Sequence, residues 1–333
     1  MPSIIKIAVD AMGGDNSPDK VVNGIINHHL NNKDVFYKIF GNEKQIINCI
    51  KNKVNKNNYQ IVNTLNKVSS EDSPLEAAKR GKDTSMWLAI ESVKNKDCDV
   101  VISAGNTGAL LVISKLNLKM IQNIDKPALS ALWPNKKGMS VVLDLGANIE
   151  CSSKNLFDFS VMGAALYKSL YPDEVPNVAL LNIGSEELKG NETIKETYKI
   201  LNEKKLEDFK FAGYIEGNEL MDGNVNVIVS DGFTGNVALK TAEGTANFIT
   251  EELKKTLGGS VVSKISSLIN YFNLKKFKKR LDPRLYNGAI FIGLTSPVVK
   301  SHGGTDYIGF SNSLEVCCKI IKGNLIEKIN NNI

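Results

Sequence analysis

The chain has 333 residues, of which 42% are hydrophobic and 23% charged, a composition that is typical of globular proteins and excludes a disordered chain. Its 41 basic and 36 acidic side chains leave a formal charge of +5, too small to indicate nucleic-acid binding; the one basic cluster is KKFKKR at 275–280. Five cysteines, an odd number without C-x-x-C spacing, indicate neither a disulfide framework nor a zinc site and favour a cytoplasmic location. We expect no secretion signal and no membrane-spanning helix, because no apolar run approaches about 18 residues.

Five segments share one pattern: a short apolar, β-branched run, then a polar Gly/Asn loop, then a helical pattern. They span residues 5–15, 99–109, 139–150, 177–187 and 224–236. The runs are apolar throughout, as in parallel strands that are covered by helices on both faces. We predict a three-layer α/β/α fold with a mostly parallel sheet, in a single domain over residues 1–333.

Ligands of such sheets bind where the carboxyl ends of the strands meet the amino termini of the helices. We therefore expect all five polar loops to open on one edge of the sheet. Two helix starts, at Ser17-Pro18-Asp19 and Ser73-Pro74, combine a serine N-cap with a proline in the first turn. These signals predict helix amino termini that point at a ligand site.

Residues 237–285 depart from the pattern, because apolar residues recur there at intervals of mostly three or four. The glycine pair Gly258-Gly259 interrupts the period. We predict two helices joined near these glycines, forming a hairpin that projects from the core.

The first polar loop, DAMGGD, places Asp10 and Asp15 around Gly13 and Gly14. Two carboxylates would repel a polyphosphate, so we expect the glycine amides to face an anion while the aspartates turn to backbone donors or a neighbouring lysine. The GNTG loop at 105–108 lacks the Walker pattern, and no strand end carries GxGxxG. ATP and NAD are therefore disfavoured as cofactors, whereas a small anion on backbone N–H groups is not.

Three side chains in the later loops each have two interpretations. Lys189 is either a surface lysine or a cation for phosphate or an oxyanion, and Asn236 is either an N-cap or a donor to a carbonyl group. His302 is either a site residue or a simple turn residue, whereas we expect His28 and His29 to be solvated. Because the chain has so few histidines, a histidine-based metal site is not expected. Without a G-x-S-x-G elbow or a cysteine beside a base, the substrate would bring its own nucleophile.

In this order and spacing, the motifs DAMGGD, SAGNTGAL, LDLGAN, LLNIGSEELKGNE and SDGFTGNVALKTAEG resemble the bacterial phosphate acyltransferases of phospholipid synthesis, over residues 5–310. The resemblance implies a homodimer with a fold similar to phosphotransacetylases and to isocitrate and isopropylmalate dehydrogenases. It implies reversible transfer of a long-chain fatty acyl group from acyl carrier protein to inorganic phosphate, with no cofactor and no metal.

The resemblance also assigns roles to individual residues. Lys189 and Asn236 would contact the transition state and the phosphate, with Asn148 and His302 as further candidates. The anion would be cradled by backbone amides around Gly13, Gly14, Asn106, Thr107, Gly108 and Thr234.

The 237–285 hairpin would be a dimerisation arm, whose apolar tip makes a peripheral contact with anionic membrane through residues 257–280. Leu257, Val261, Val262 and Ile265 would form that contact; the alternative is a stripe that is wholly buried between subunits.

The sequence departs from the family at Thr295-Ser296-Pro297, which replaces a glycine-containing turn, so the resemblance does not define the shape of the wall around His302 or the preferred chain length. Two other functions also stay open. One is a phosphotransacetylase that uses acyl-CoA, and the other is a non-catalytic membrane scaffold that binds acyl carrier protein.

Overall fold

The computed structural model describes residues 4–204 and 207–333, with the side chains of residues 261, 264 and 267 outside the description. Within these residues, eleven strands form one sheet. The strands are β1 (Ile5–Asp10), β2 (Val35–Gly41), β3 (Tyr59–Asn63), β4 (Val100–Ser103), β5 (Ala128–Pro134), β6 (Met139–Leu143), β7 (Asn177–Asn182), β8 (Lys210–Glu216), β9 (Val227–Val229), β10 (Ala289–Ile292) and β11 (Val298–Lys300).

Helices alternate with the strands along the chain. They are α1 (Asp19–His29), α2 (Glu43–Ile50), α3 (Pro74–Arg80), α4 (Ser85–Lys94), α5 (Thr107–Asn117), α6 (Ser153–Leu170), α7 (Glu192–Glu203), α8 (Gly232–Gly258), α9 (Val261–Ile269), α10 (Tyr271–Arg280), α11 (Tyr307–Lys322) and α12 (Leu325–Asn330). Each of the five segments with the predicted strand–loop–helix pattern contributes a strand, namely β1, β4, β6, β7 and β9.

Two hydrophobic layers cover the two faces of the sheet, so the predicted three-layer α/β/α arrangement is confirmed. On one face, α1, α6 and α11 pack on the strands through buried side chains such as Ile25, Phe159 and Phe310. On the other face, α4 and α5 cover the first half of the sheet, and α8 lies over part of the second half. The uninterrupted apolar runs of the strands are explained by burial on both sides.

The direction of the strands reverses in the middle of the sheet. The strand order is β3-β2-β1-β4-β11-β10-β5-β6-β9-β7-β8. The first five strands are parallel to one another, and so are the last four. Between these two blocks lie three antiparallel pairs, β11 with β10, β10 with β5 and β5 with β6. Three reversals make the two parallel blocks run in opposite directions.

This reversal places the polar loops on opposite edges of the sheet. The loops after β1 and β4, joined by the loop after β11, lie on what we call the first edge, and those after β6, β7 and β9 lie on the second edge. The expectation that all five loops open on one edge is therefore wrong. The five motifs carry no information about β5 and β10, whose pairing sets the relative direction of the two blocks.

The segment predicted as a hairpin consists of three helices rather than two. Helix α8 ends at the predicted glycine pair, but the returning segment is divided at Asn270 into α9 and α10. From 240 to 281, no residue whose side chain is described is buried; we call this segment the arm. At its end, Arg280 Nη2 donates to the carbonyl oxygens of Asn135 and Lys136 (3.4 and 3.3 Å), where the chain returns to the core. No helix in the described parts of the chain is long and apolar enough to cross a bilayer.

One of the two predicted helix caps is confirmed. Ser73 caps α3 by accepting from the Glu76 amide (3.3 Å), with Pro74 at the first position. By contrast, α1 begins at Asp19 without a side-chain cap, and the Ser17 hydroxyl donates to the Gly13 carbonyl (2.6 Å). Ser17 thus stabilises the glycine loop instead of the helix.

The expectation that His28 and His29 are solvated is wrong, because each is only 3% exposed beneath α11 and β2. His28 Nδ1 lies 2.7 Å from the Tyr37 hydroxyl, and its Nε2 lies 3.4 Å from a Glu315 carboxylate oxygen. These histidines belong to the core and not to a ligand site.

A single buried carboxylate organises the loop after β6. Asp144 accepts hydrogen bonds from the backbone amides of Leu129, Gly146, Ala147 and Asn148 (2.9, 3.2, 3.0 and 2.7 Å) and from the Asn148 side chain (2.8 Å). Burial raises the pKa of Asp144, and the amides of Leu129, Ala147 and Asn148 together with the Asn148 side chain oppose the rise. The position of all five donor groups therefore depends on the Asp144 side chain.

We predict that Asp144→Asn lowers the free energy of unfolding by about 2 kcal/mol or more, because its amide nitrogen cannot accept from the donors now facing the carboxylate. Asp125→Asn is the control: Asp125 is exposed and, among the described residues, makes only an ion pair with Lys154 (3.2 Å), so a change below about 1 kcal/mol is expected. Urea unfolding of both variants checks this. Equal effects of the two substitutions would contradict the structural role of Asp144.

Candidate active site

On the first edge, three adjacent strands end in polar residues that are paired in register. Ser103 of β4 lies beside Asp10 of β1 on one side and Lys300 of β11 on the other. These residues follow apolar stretches of buried strand, where polar groups require partners. The row therefore marks a built polar site and not a chance surface cluster.

Asp10, which is 1% exposed, is held by three donors. The hydroxyls of Ser85 and Ser103 each donate to its carboxylate at 2.6 Å, and the Met12 amide donates at 3.1 Å. The expectation that Asp10 turns to backbone donors or a neighbouring lysine is met only by the Met12 amide; the two serine hydroxyls were not predicted. Its role is to shape the loop after β1.

The glycines of this loop allow three loops to touch. A side-chain Cβ at Gly13 would lie 2.6 Å from the Gly105 amide nitrogen, and one at Gly14 would lie 2.8 Å from the Ala104 carbonyl oxygen. Gly14 also has φ +79°, a conformation that favours glycine. The exposed Asp15 joins the third loop, since its amide donates to the Gly303 carbonyl (3.1 Å).

Two buried lysines, both missed by the sequence analysis, lie among these loops. Lys20 of α1 and Lys300 of β11 are 6% and 8% exposed, and their ammonium groups donate to the carbonyl oxygens of Gly303 and Ser301. Burial lowers the pKa of Lys20, and burial together with the charge of Lys20 lowers the pKa of Lys300 to about 8. The signal that could have revealed Lys300 is a cation directly after the buried run Pro297-Val298-Val299.

His302 lies on the same edge, with its amide donating to the Asn287 side chain (2.9 Å) and its Nδ1 accepting from the Gly304 amide (3.2 Å). Partial burial, and then the nearby charge of Lys300, lowers the pKa of His302. The ring is consequently neutral at pH 7 and adds no positive charge to the two lysines.

The other predicted residues of the first edge form the start of α5. Asn106 is the N-cap of that helix, accepting from the Ala109 amide (3.0 Å), and its side chain donates to the carbonyls of Ser70 and Asp72 (both 3.1 Å). Thr107 and Gly108 follow in the first turn, where helix N–H groups have no intrahelical acceptor. These amides can donate to an anion, whereas the Asn106 side chain is fully engaged in the fold.

The remaining predicted residues lie on the second edge. The side chain of Asn148 donates to the Pro127 carbonyl (2.7 Å) and to Asp144, so it is a structural group. Thr234 donates through its amide and hydroxyl to Asp231 (both 2.8 Å), which is the N-cap of α8. Asn236 lies in the first turns of α8, beyond the cap, and its exposed side chain packs beside Gly146.

Lys189 is exposed in the loop between β7 and α7, and its aliphatic carbons lie along Gly184. Its carbonyl accepts from the Asn182 side chain (3.2 Å), which fixes the backbone of the loop. In the part of the chain that the structure describes, no carboxylate forms an ion pair with Lys189. Its ammonium group is thus free to meet a ligand.

An open cleft of about 550 Å³ lies on the second edge, between the loop after β6 and the amino termini of α7 and α8. Cys151, Asn191 and Thr234 are among its lining residues. Burial and nearby carboxylates raise the pKa of Cys151 to about 11, so its thiol is protonated and a poor nucleophile at neutral pH. Another cavity, of about 210 Å³, lies between α6 and α12 and is lined by none of the predicted residues.

Large apolar side chains around this cleft are exposed to solvent. Leu188 and Ile183 are 88% and 81% exposed in the loop of Lys189, and three others flank Asn148 and Asn236. We call this set the apolar rim: Ile149, Ile183, Leu188, Phe233 and Val237. Exposed apolar patches on a globular protein mark binding surfaces.

The predicted site residues therefore follow two blocks of strands that run in opposite directions. Helix α8 links the two groups, since the charges of its Lys240 and Glu243, a short way beyond Asn236, act on His302 of the first edge. The first edge offers buried cations and amides to an anion, and the second offers Lys189 and Asn236 beside an apolar rim. In residues 4–204 and 207–333, no group of three or more His, Cys, Asp or Glu side chains is placed to hold a metal ion.

Comparison with solved structures confirms the predicted fold. A phosphotransacetylase from Streptococcus pyogenes superposes with a TM-score of 0.63, covering 98% of this chain and 95% of that protein, at 16% sequence identity. At so low an identity the likeness concerns the fold alone.

Comparison with protein sequences identifies the family. A family model described as fatty acid synthesis protein matches residues 5–328. The chain is 73% identical to the phosphate acyltransferase of Pelagibacter ubique strain HTCC1062, with both chains covered completely. It is 41% identical to the phosphate acyltransferase of Parvibaculum lavamentivorans, over 98% of this chain and 90% of that protein. The chain therefore belongs to the bacterial phosphate acyltransferases, enzymes that transfer an acyl group to phosphate.

Proposed function

We propose that this enzyme reversibly transfers a long-chain fatty acyl group from acyl carrier protein to inorganic phosphate, in the cytoplasm. The observation that carries the choice of a long chain is the apolar rim around Lys189 and Asn236. Each methylene group that leaves water contributes about 0.8 kcal/mol, so such a rim favours a fatty acyl chain over an acetyl group. Acyl carrier proteins are acidic in general, which suits the net charge of +5 on this chain.

The proposed chemistry needs no covalent enzyme intermediate. A phosphate oxygen forms a bond to the thioester carbonyl carbon, the C–S bond breaks, and the electron pair leaves on sulfur as a thiolate. The protonated state of Cys151 at neutral pH supports direct attack by phosphate over attack by that thiol. The protein's task is to orient phosphate and to stabilise the tetrahedral oxyanion.

Lys189 and Asn236 are proposed to stabilise that oxyanion, as the family resemblance implies. Both side chains are exposed on the second edge and available to a ligand. The phosphate would be cradled on the first edge by amides near Gly13, Gly14, Thr107 and Gly108. Asn106 and Asn148 act indirectly, because their side chains fix the loops in which they lie. His302 lies on the first edge and Thr234 on the second.

We include a homodimer in the proposal, as the family resemblance implies. The exposed arm offers apolar surface for such an association.

The choice of donor is tested with three thioesters under matched conditions: palmitoyl-acyl carrier protein, palmitoyl-CoA and acetyl-CoA. We expect phosphate-dependent release of free carrier protein, with kcat/KM about 100-fold or more above that for acetyl-CoA, since burial of about four methylene groups is sufficient. Equal use of palmitoyl-CoA would contradict recognition of the carrier. Preference for acetyl-CoA would favour a phosphotransacetylase, and binding of the carrier without cleavage would favour a scaffold.

We predict that Lys189→Ala lowers turnover by ~100-fold or more with an unchanged thermal unfolding midpoint, because an exposed oxyanion donor is lost without loss of packing. Lys199→Ala, an exposed lysine of α7, is the control and should leave turnover unchanged. Steady-state kinetics with saturating phosphate measure both variants. Wild-type turnover of Lys189→Ala would remove this residue from the mechanism.

The arm is proposed to make a peripheral contact with anionic membrane in addition to its role in dimerisation. On α9 and the start of α10, large apolar side chains are exposed, and the basic residues of 275–280 follow directly. They are Val262, Ile265, Leu268, Ile269 and Phe272. Apolar insertion combined with basic charge is the pattern of interfacial helices. The side chain of Val261 lies outside the described residues, and the alternative use of this surface is burial between subunits.

We predict that Ile265→Asp reduces binding to vesicles with anionic lipid by about tenfold or more, since it removes an exposed apolar side chain and adds a repelled charge. Ser266→Asp adds the same charge to the same helix without removing an apolar group, and it should have a smaller effect. Liposome flotation measures binding, and light scattering measures molar mass. Undiminished vesicle binding of Ile265→Asp, together with loss of the dimer, would assign the surface to the subunit interface.

A further inference from the structure

We infer that Lys20 and Lys300 form the binding site for inorganic phosphate on the first edge. This inference deepens the proposed function and rests on it for the identity of the anion. Neither lysine belongs to the motifs through which the sequence resembles its family.

The two ammonium groups are buried close to one another. Both lysines are more than nine-tenths buried, and their ammonium groups bind adjacent turns of one loop, at the carbonyls of Gly303 and Ser301. They are near enough for the charge of Lys20 to lower the pKa of Lys300. Two like charges in a buried place destabilise the protein unless opposite charge is supplied.

The protein supplies little of that opposite charge. In the described parts of the chain, no carboxylate forms an ion pair with either lysine. Asp10 acts on Lys300 from a distance, but its carboxylate is engaged by Ser85, Ser103 and the Met12 amide. Asp15 acts on Lys20 in the same way and is exposed to solvent. An anion placed between the ammonium groups would complete the site.

The glycine loop lies directly beside Lys20. A Cβ at Gly14 would lie 2.9 Å from the Lys20 ammonium nitrogen and 2.8 and 3.0 Å from the carbonyl oxygens of Ala104 and Gly303, so glycine is required for so close an approach. Gly14 itself is exposed. The loop therefore brings exposed backbone next to the buried ammonium group of Lys20.

Lysine suits this task because its ammonium group is a compact point charge with three donors. Each lysine uses a donor on a backbone carbonyl, which orients the ammonium group and leaves the other donors for the ligand. At neutral pH Lys300 is still mainly protonated, since its pKa is about 8, and a bound anion would stabilise that charge. The competing explanation is that the lysines serve only to tie the loops together.

The test is calorimetric titration of the full chain with inorganic phosphate, without any acyl donor. We expect Lys300→Met and Lys20→Met each to weaken phosphate binding by at least about tenfold, the effect of losing a charged hydrogen-bond donor. Lys115→Met, at an exposed position of α5, is the control and should bind like the wild type. In kinetics, the same variants should raise KM for phosphate without raising KM for the acyl donor.

Lys20→Gln guards against misfolding, because its amide can still donate to the Gly303 carbonyl while the charge is lost. Weakened phosphate binding by a folded Lys20→Gln supports the site. Wild-type affinity in a folded Lys20→Gln or Lys300→Met, or no phosphate binding by the wild type, would overturn the inference. If phosphate binding depends on both lysines but no thioester is cleaved, the proposed function fails and the anion site stands.

Discussion

The antiparallel strands β5 and β10 at the centre of the sheet determine where every polar loop lies. With their neighbours they make three antiparallel pairs, so the two parallel blocks point in opposite directions. Each block then presents its own row of carboxyl ends, and each row has its own glycine loops and helix amino termini. One chain thus holds two groups of site residues of different chemistry, a cationic one on the first edge and an apolar-rimmed one on the second.

On both edges, a buried aspartate organises the loop through hydrogen bonds from backbone amides. Asp10 ends β1 and accepts from the amide two residues later, Met12. Asp144 follows β6 and accepts from the amide of Gly146 in the same way. Both carboxylates are buried and engaged by further donors. The aspartates of these loops therefore position backbone amides. What distinguishes the edges is the buried lysine pair, which is found among the described residues of the first edge and not of the second.

Much of the fold could be predicted from the sequence, because a strand that is buried on both faces is a continuous apolar run and a loop after it needs glycine and small polar residues. The direction of the strands could not, since Ala128–Pro134 and Ala289–Ile292 carry no motif that specifies their antiparallel pairing. The residues of the second edge were predicted through their motifs, whereas Lys20 was missed because it resembles any lysine on a helix. Burial of that residue arises from the Gly303 loop, almost three hundred residues away, and such long-range contacts are invisible in a local pattern.

The central claim is that the first edge holds the phosphate, and a crystal structure of the enzyme with inorganic phosphate bound tests it most directly. The account predicts phosphate oxygens about 2.7–3.1 Å from the ammonium nitrogens of both Lys20 and Lys300, beside Gly14. Phosphate bound beside Lys189 alone, with the Lys20–Lys300 site empty, would contradict the account.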